Sequence, residues 1–142
     1  MFKSKNISIT VVLLIVITIA TACSNQNSGT DIIDVTWQWA ELVENEPASQ
    51  SIVPTPKNYT LLFNADETMN IQADCNMVSG SYKVEGNSLT LELGPSTIAF
   101  CGEESLDVMF TGFLNKVESF VIENDQMVLN LKNNAGKMTF NR

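Results

Sequence analysis

The chain has 142 residues, 44% of them hydrophobic, with 16 acidic and 8 basic side chains, three cysteines and no histidine. That length accommodates one domain, and a formal net charge of −8 excludes an electrostatic nucleic-acid binder. Without histidine, nucleophilic pairs of the Ser-His or Cys-His kind are excluded as well.

Lys3 and Lys5 precede an apolar run over residues 7–22, interrupted only by Ser8, Thr10, Thr18 and Thr21. A helix of that length spans about 24 Å, short of the roughly 30 Å hydrocarbon core of a bilayer. A basic start followed by a short apolar run therefore predicts a signal peptide over residues 1–22 rather than a spanning helix. The run ends in Ala20-Thr21-Ala22-Cys23, which resembles a bacterial lipobox, with Ala20 where leucine or valine is usual. The expectation is that Cys23 carries acyl chains and anchors the protein to a membrane on the extracytoplasmic side, in the periplasm or at the cell surface. Ordinary cleavage after Ala22 would instead leave Cys23 as an exposed free thiol. Cleavage keeps all 16 acidic residues but only 6 of the 8 basic ones, a net charge near −10. Head groups of anionic lipid would then repel the domain, and the acyl chains alone would hold it.

With Cys23 set aside, Cys75 and Cys101 remain. In an oxidising compartment an even pair reads first as a disulfide, closing a loop of about 26 residues worth roughly 3.5 kcal/mol in the chain-entropy model. A zinc site is the rival reading, but it needs more ligands than two thiols in a chain without histidine. A redox dithiol is another, and such sites ordinarily use a Cys-x-x-Cys at a helix start.

Residues 24–30 (SNQNSGT) are polar and aperiodic, so 23–33 is read as a lipidated cysteine and flexible tether, the seven-residue spacer reaching only about 15 Å. The domain is expected over 34–142. Its first strand is 35–43, with Val35, Trp37 and Trp39 on one face by alternation. Residues 44–58 carry Pro47, Pro54 and Pro56 and read as a long irregular segment. Fixed φ and missing donors keep a central strand out of it, and a long loop in a small domain is often functional. Glu44, Pro47, Pro54 and Pro56 thus mark the candidate binding loop.

Hairpins follow at 59–63 with 68–73 and at 77–84 with 88–93, the second turning at Glu85-Gly86-Asn87. Residues 97–101 read as a short apolar strand or a strand-like lead into a helix. The helix is expected over 103–117, with Glu103, Glu104 and Asp107 at its acidic start and Lys116 at its end. Its buried face would be Leu106, Met109, Phe110, Phe113, Leu114 and Val117. Strands at 118–123, 127–132 and 137–140 complete the chain. The fold class is α+β: a small curved antiparallel sheet or partly open β-barrel of about eight short strands, with one packed helix covering an opening.

The succession of Trp37, the strand ending in Phe63, Cys75-Asn76, Gly80-Ser81-Tyr82, Ser96-Thr97, Cys101, the helix and the closing Gly136 to Phe140 resembles the META domain, also called HslJ-like. The resemblance covers residues 34–141. Asp66-Glu67 stands where Asp-Gly is usual, and Asp74 where glycine often precedes the first cysteine. The resemblance implies an envelope protein linked to stress tolerance, antibiotic resistance, motility or virulence, with no shared catalytic activity and no cofactor.

Paired carboxylates could serve as acid and base, and Asp66/Glu67 and Glu103/Glu104 are the adjacent pairs. The first suits a turn and the second a helix dipole, so both read as structural. Asp66 and Asp74 lack the spacing of an EF-hand loop. Asn76 is expected to tolerate a left-handed turn and Gly80 to permit a bulge or close approach. Tyr82 is expected to bury its ring with the hydroxyl on a polar partner. Two functions remain. One is a non-enzymatic binding module for a hydrophobic small molecule or an envelope protein, with 44–58 as lid or contact surface. The other is thiol–disulfide chemistry at Cys75 and Cys101.

Overall fold

The computed structural model describes residues 29–142; the expected signal peptide, Cys23 and the spacer up to Ser28 lie outside the described residues. Nine strands form one antiparallel sheet: β1 (Thr36–Asn45), β2 (Ala48–Ile52), β3 (Tyr59–Phe63), β4 (Thr68–Ala73), β5 (Asn76–Glu85), β6 (Ser88–Ser96), β7 (Val117–Glu123), β8 (Gln126–Leu131) and β9 (Gly136–Asn141). One helix, α1 (Asp107–Leu114), separates β6 from β7. The order is β2-β1-β3-β4-β5-β6-β7-β8-β9, and β1 also pairs with β9. That last pairing closes eight strands into a barrel and leaves β2 as a flap on the far half of β1.

Strict alternation aims one face of each strand inward. Tyr59, Leu61 and Phe63 do so on β3, and Met69, Ile71 and Ala73 on β4. Two register shifts reset the alternation where the sequence breaks it. One lies between Trp39 and Glu41, so Trp37, Trp39 and Leu42 all face inward. The other lies between Val117 and Ser119 and turns Phe120 in. Trp37, Trp39, Phe63, Phe110, Phe120 and Phe140 are at most 1% exposed, so the barrel interior is filled by side chains rather than hollow.

The seam between β6 and β7 is thin. The two strands share one register position, Ser88 with Ser119, backed by the Phe120 amide donating to Asn87 O at 2.9 Å. α1 closes one mouth of the barrel over β1, β3, β4 and β9. Its Phe110 stacks on Trp39 (centroids 5.0 Å, 19° between planes) and meets Tyr59 edge-on at 5.7 Å. A closed barrel with its own core is a self-contained folding unit.

Several expectations are corrected. The segment 44–58 is not irregular: it holds the end of β1, the turn at Pro47, all of β2 and a 3-10 turn at Pro56–Asn58. Sequence periodicity missed β2 because all five of its residues are exposed; backbone pairing with β1 alone holds it. The helix is eight residues long, not fifteen. Glu103 and Glu104 precede it in a turn where Ser105 N donates to Gly102 O, so they do not occupy its first turn. Met109 is 45% exposed, and Phe110 and Leu114 carry the buried face. The fold also begins before Asp34: Gly29–Ile32 forms a 3-10 turn, Ile32 is fully buried, and Trp37 Nε1 donates to Ile32 O at 3.1 Å.

Candidate functional site

At the barrel mouth, the segment after β6 returns to the start of β5 and is fastened there. Cys75 and Cys101 form a disulfide with Cα atoms 5.6 Å apart, as the cysteine count predicted. Beside it Asn76, 6% exposed, is the hub of the region. Its Oδ1 accepts from Ala99 N at 2.8 Å and Thr97 Oγ1 at 3.1 Å. Its Nδ2 donates to Ala99 O and to Asp107 Oδ2, both at 3.0 Å, and lies 3.3 Å from Cys101 Sγ. Thr97 Oγ1 in turn accepts from Met77 N at 2.9 Å. The left-handed turn expected at Asn76 falls instead on Asp74, φ 58°, whose side chain accepts from Asn58 Nδ2 at 3.2 Å and Tyr59 OH at 3.4 Å. The Tyr59 hydroxyl also accepts from Leu106 N at 2.9 Å, fixing the approach to α1.

Fastened this way, the segment turns its apolar side chains outward. Ile98 is 97% and Phe100 85% exposed, and across from them Val108 on α1 is 80% exposed. With Asn76, Glu103 and Asp107 they line an open groove of about 730 Å³ between the segment and the start of α1. A second groove of about 450 Å³ lies on the other side of Cys101, lined by Pro54, Asp74, Glu103 and Glu104 among others. Residues 97–101 were expected to be a strand or a strand-like lead, and nothing in their apolar pattern signals exposure. The Ser96-Thr97 and Cys101 positions of the family pattern are what marked this region in the sequence.

The candidate loop residues are scattered. Glu44 and Pro47 sit at the β1–β2 hairpin, where Glu44 Oε2 accepts from Ser49 Oγ at 3.0 Å. Pro56 opens the 3-10 turn, and Pro54 alone reaches a groove. The acidic pairs do not converge into a site. Asp66 Oδ1 accepts from Thr68 Oγ1 at 2.6 Å and from Thr68 N at 3.1 Å, bonds that hold its carboxyl below the ordinary value. Among the described residues no group of three or more candidate ligand side chains could hold a metal ion.

Gly80 meets its expectation of close approach, since a Cβ there would lie 2.5 Å from Glu92 O. Tyr82 meets its own: the ring packs edge-on against Phe63 at 4.8 Å, and the hydroxyl donates to Asn64 O at 2.7 Å.

Comparison with known proteins agrees with this architecture. The META domain family model matches residues 30–142. An NMR structure of a protein from Burkholderia xenovorans superposes with a TM-score of 0.65 at 19% identity, over 80% of this chain and 84% of that one. A crystal structure of a duf4847 family protein from Bacteroides vulgatus superposes with a TM-score of 0.60 at 11% identity, over 78% and 93%. At such identities the likeness is one of fold. No curated protein matches the sequence.

Proposed function

Since this chain belongs to the META domain family, we propose that it is a non-enzymatic binding module, tethered by acyl chains on Cys23 to the extracytoplasmic side of a membrane, and working through the groove at the barrel mouth. The observation that carries the reading is the exposure of Ile98 and Phe100, on a segment held by a disulfide and four Asn76 contacts, and of Val108 beside Asp107 of α1, which takes a fifth. Contiguous apolar surface on a fixed backbone marks an interaction site more often than it marks nothing. The filled interior favours a surface partner, an envelope protein, over an enclosed hydrophobic small molecule.

The placement of Gly29, the first described residue, supports the tether geometry. Gly29 packs beside Val84, near the end of β5, whereas the groove flanks Asn76 at the beginning of that strand. Eight residues of strand separate the two by about 26 Å. A short tether leaving Gly29 toward Cys23 would point the groove away from the bilayer that anchors it. Envelope stress or antibiotic tolerance is the setting the family resemblance implies.

The test places a photo-crosslinking phenylalanine analogue at Phe100, and separately at Glu123, in the full chain in bacterial cells. Discrete protein adducts at Phe100 and none at Glu123 are expected; an absence of adducts at Phe100 under rich, starved and heat-stressed growth overturns the binding role. Fatty-acid labelling that persists in Cys23→Ser would sink the tether. Thiol–disulfide exchange is the competing reading, favoured by the exposure of Cys75. Alkylation of native, unreduced protein separates the two: full protection of Cys75 and Cys101 supports the staple, and ready modification supports exchange.

A further inference from the structure

The proposed binding role leaves the chemistry of the partner open, and the surroundings of the groove supply it. We infer that the groove takes a cationic amphipathic segment of a partner protein, with apolar side chains laid over Ile98, Phe100 and Val108 and basic ones turned to an acidic rim. This deepens the binding role and rests on it.

Four carboxylates make the rim. Glu103 and Asp107 line the main groove, and Asp74, Glu103 and Glu104 line its neighbour across Cys101. Neither lining includes a lysine or arginine. The ion pairs among the described residues, Lys83 with Glu85 and Arg142 with Asp125, lie elsewhere. Glu103 and Glu104 are exposed, so the rim presents a negative field beside an apolar floor. Such complementarity steers a basic partner in and rejects an acidic one.

The same charge argues against the other occupants. A second copy would bring the rim, and a chain of net charge −8, against its like. An anionic bilayer would be repelled, and the groove sits at the end of the barrel away from Gly29. The fastening of the floor lowers the ordering cost of binding, because Phe100 lies between Ala99, bonded to Asn76, and Cys101, bonded to Cys75.

The test uses the domain 29–142 and a fluorescent amphipathic helical peptide of lysine and leucine, about 14 residues or four turns long, with a glutamate-for-lysine counterpart of the same pattern. Saturable binding of the lysine peptide alone is expected, weakening with salt. Affinity should fall by about tenfold or more in Phe100→Ser, as for truncation of a central anchor, and also in the double variant Glu103→Gln/Glu104→Gln. All three substituted side chains are exposed, so thermal unfolding should be unchanged and a loss of binding cannot be a loss of fold. Equal binding of both peptides, or binding untouched by Phe100→Ser, overturns the inference. So does concentration-dependent dimerisation that Phe100→Ser abolishes, which would assign the groove to a second copy. If the lysine peptide fails while crosslinks at Phe100 persist, the occupant is wrong and the binding role stands. If the crosslinks are missing too, the binding role itself has failed.

Discussion

Replacing Asn76 by alanine and by aspartate asks whether one amide holds the groove segment in place. Alanine removes the part-buried contacts to Thr97 and Ala99, residues exposed enough for their groups to rebond to water, for a net loss of about 1 kcal/mol. It also removes the bond to the Asp107 carboxylate at 3.0 Å, a charge-assisted contact worth about 1.5–3 kcal/mol. Asn76→Ala should therefore cost about 2.5–4 kcal/mol. Asn76→Asp keeps both accepting contacts at Oδ1 but sets a second carboxylate oxygen where Nδ2 was, 3.0 Å from Asp107 Oδ2. Beyond the lost bond, repulsion between charges about 4 Å apart lies between ~1 kcal/mol in water and ~4 kcal/mol near a protein surface. At pH 7 the aspartate variant should thus be at least as unstable as the alanine one.

The sign with pH separates the two variants. A carboxyl pair forced together binds a proton more tightly folded than unfolded, so its folded pKa is raised above the ordinary value of about 3.9. The stability so linked is fully present below that value and lost as pH rises through the raised one. Asn76→Asp should regain most of its deficit below about pH 4, whereas the Asn76→Ala deficit should change little. Urea unfolding followed by fluorescence of the buried Trp37 and Trp39 measures both. Adding Asp107→Asn to Asn76→Asp should recover stability at pH 7. Two variants each within about 1 kcal/mol of the parent, or an aspartate deficit indifferent to pH and to Asp107→Asn, would refute the hub argument.

Two further outcomes follow from the β3–β4 turn and its neighbour. Glu67 holds φ 65°, a left-handed conformation that costs a residue with a Cβ about 1–2 kcal/mol, and its carbonyl accepts from Tyr82 N at 2.9 Å, a bond glycine would keep. Against the entropy that glycine adds to the unfolded chain, Glu67→Gly should stabilise by about 0.5–1 kcal/mol; a lowered melting temperature would refute it. Burial, followed by the charges of Glu67, Asp66 and Asp34, raises the Tyr82 phenol above its ordinary 10.0. The stability it contributes is whole below pH 10.0 and is lost as pH rises through the raised value. Absorbance titration should show a late tyrosinate transition that Tyr82→Phe removes; its persistence in that variant would refute the assignment.

Much of the fold was legible in the sequence. Period-2 burial at 59–63 and 68–73, with turn residues at 64–67, specified that hairpin, and Glu85-Gly86-Asn87 specified the next. Parity of the remaining cysteines identified the disulfide. These features are local, or depend on counting, so a linear reading reaches them. β2 was hidden because a strand exposed on both faces has no hydrophobic period, and its pairing is backbone to backbone. The length of α1 was hidden because Gly102 takes φ 104° and Leu106 N is claimed by Tyr59, contacts that hold 103–106 outside a helix of otherwise suitable composition.

The groove is the sharpest case. By composition, residues 97–101 belong in a core, and by composition Asn76 belongs in a turn. The β5–β6 pairing and the path of the segment after it put Asn76 beside Ala99 and Asp107, 23 and 31 residues away. Local preference fixes which residues can form strands and turns. Which apolar side chains are left facing water depends on how distant groups satisfy one another, and for this segment that is decided once β6 pairs with β5, Asn76 takes up Thr97 and Ala99, and the disulfide ties the mouth.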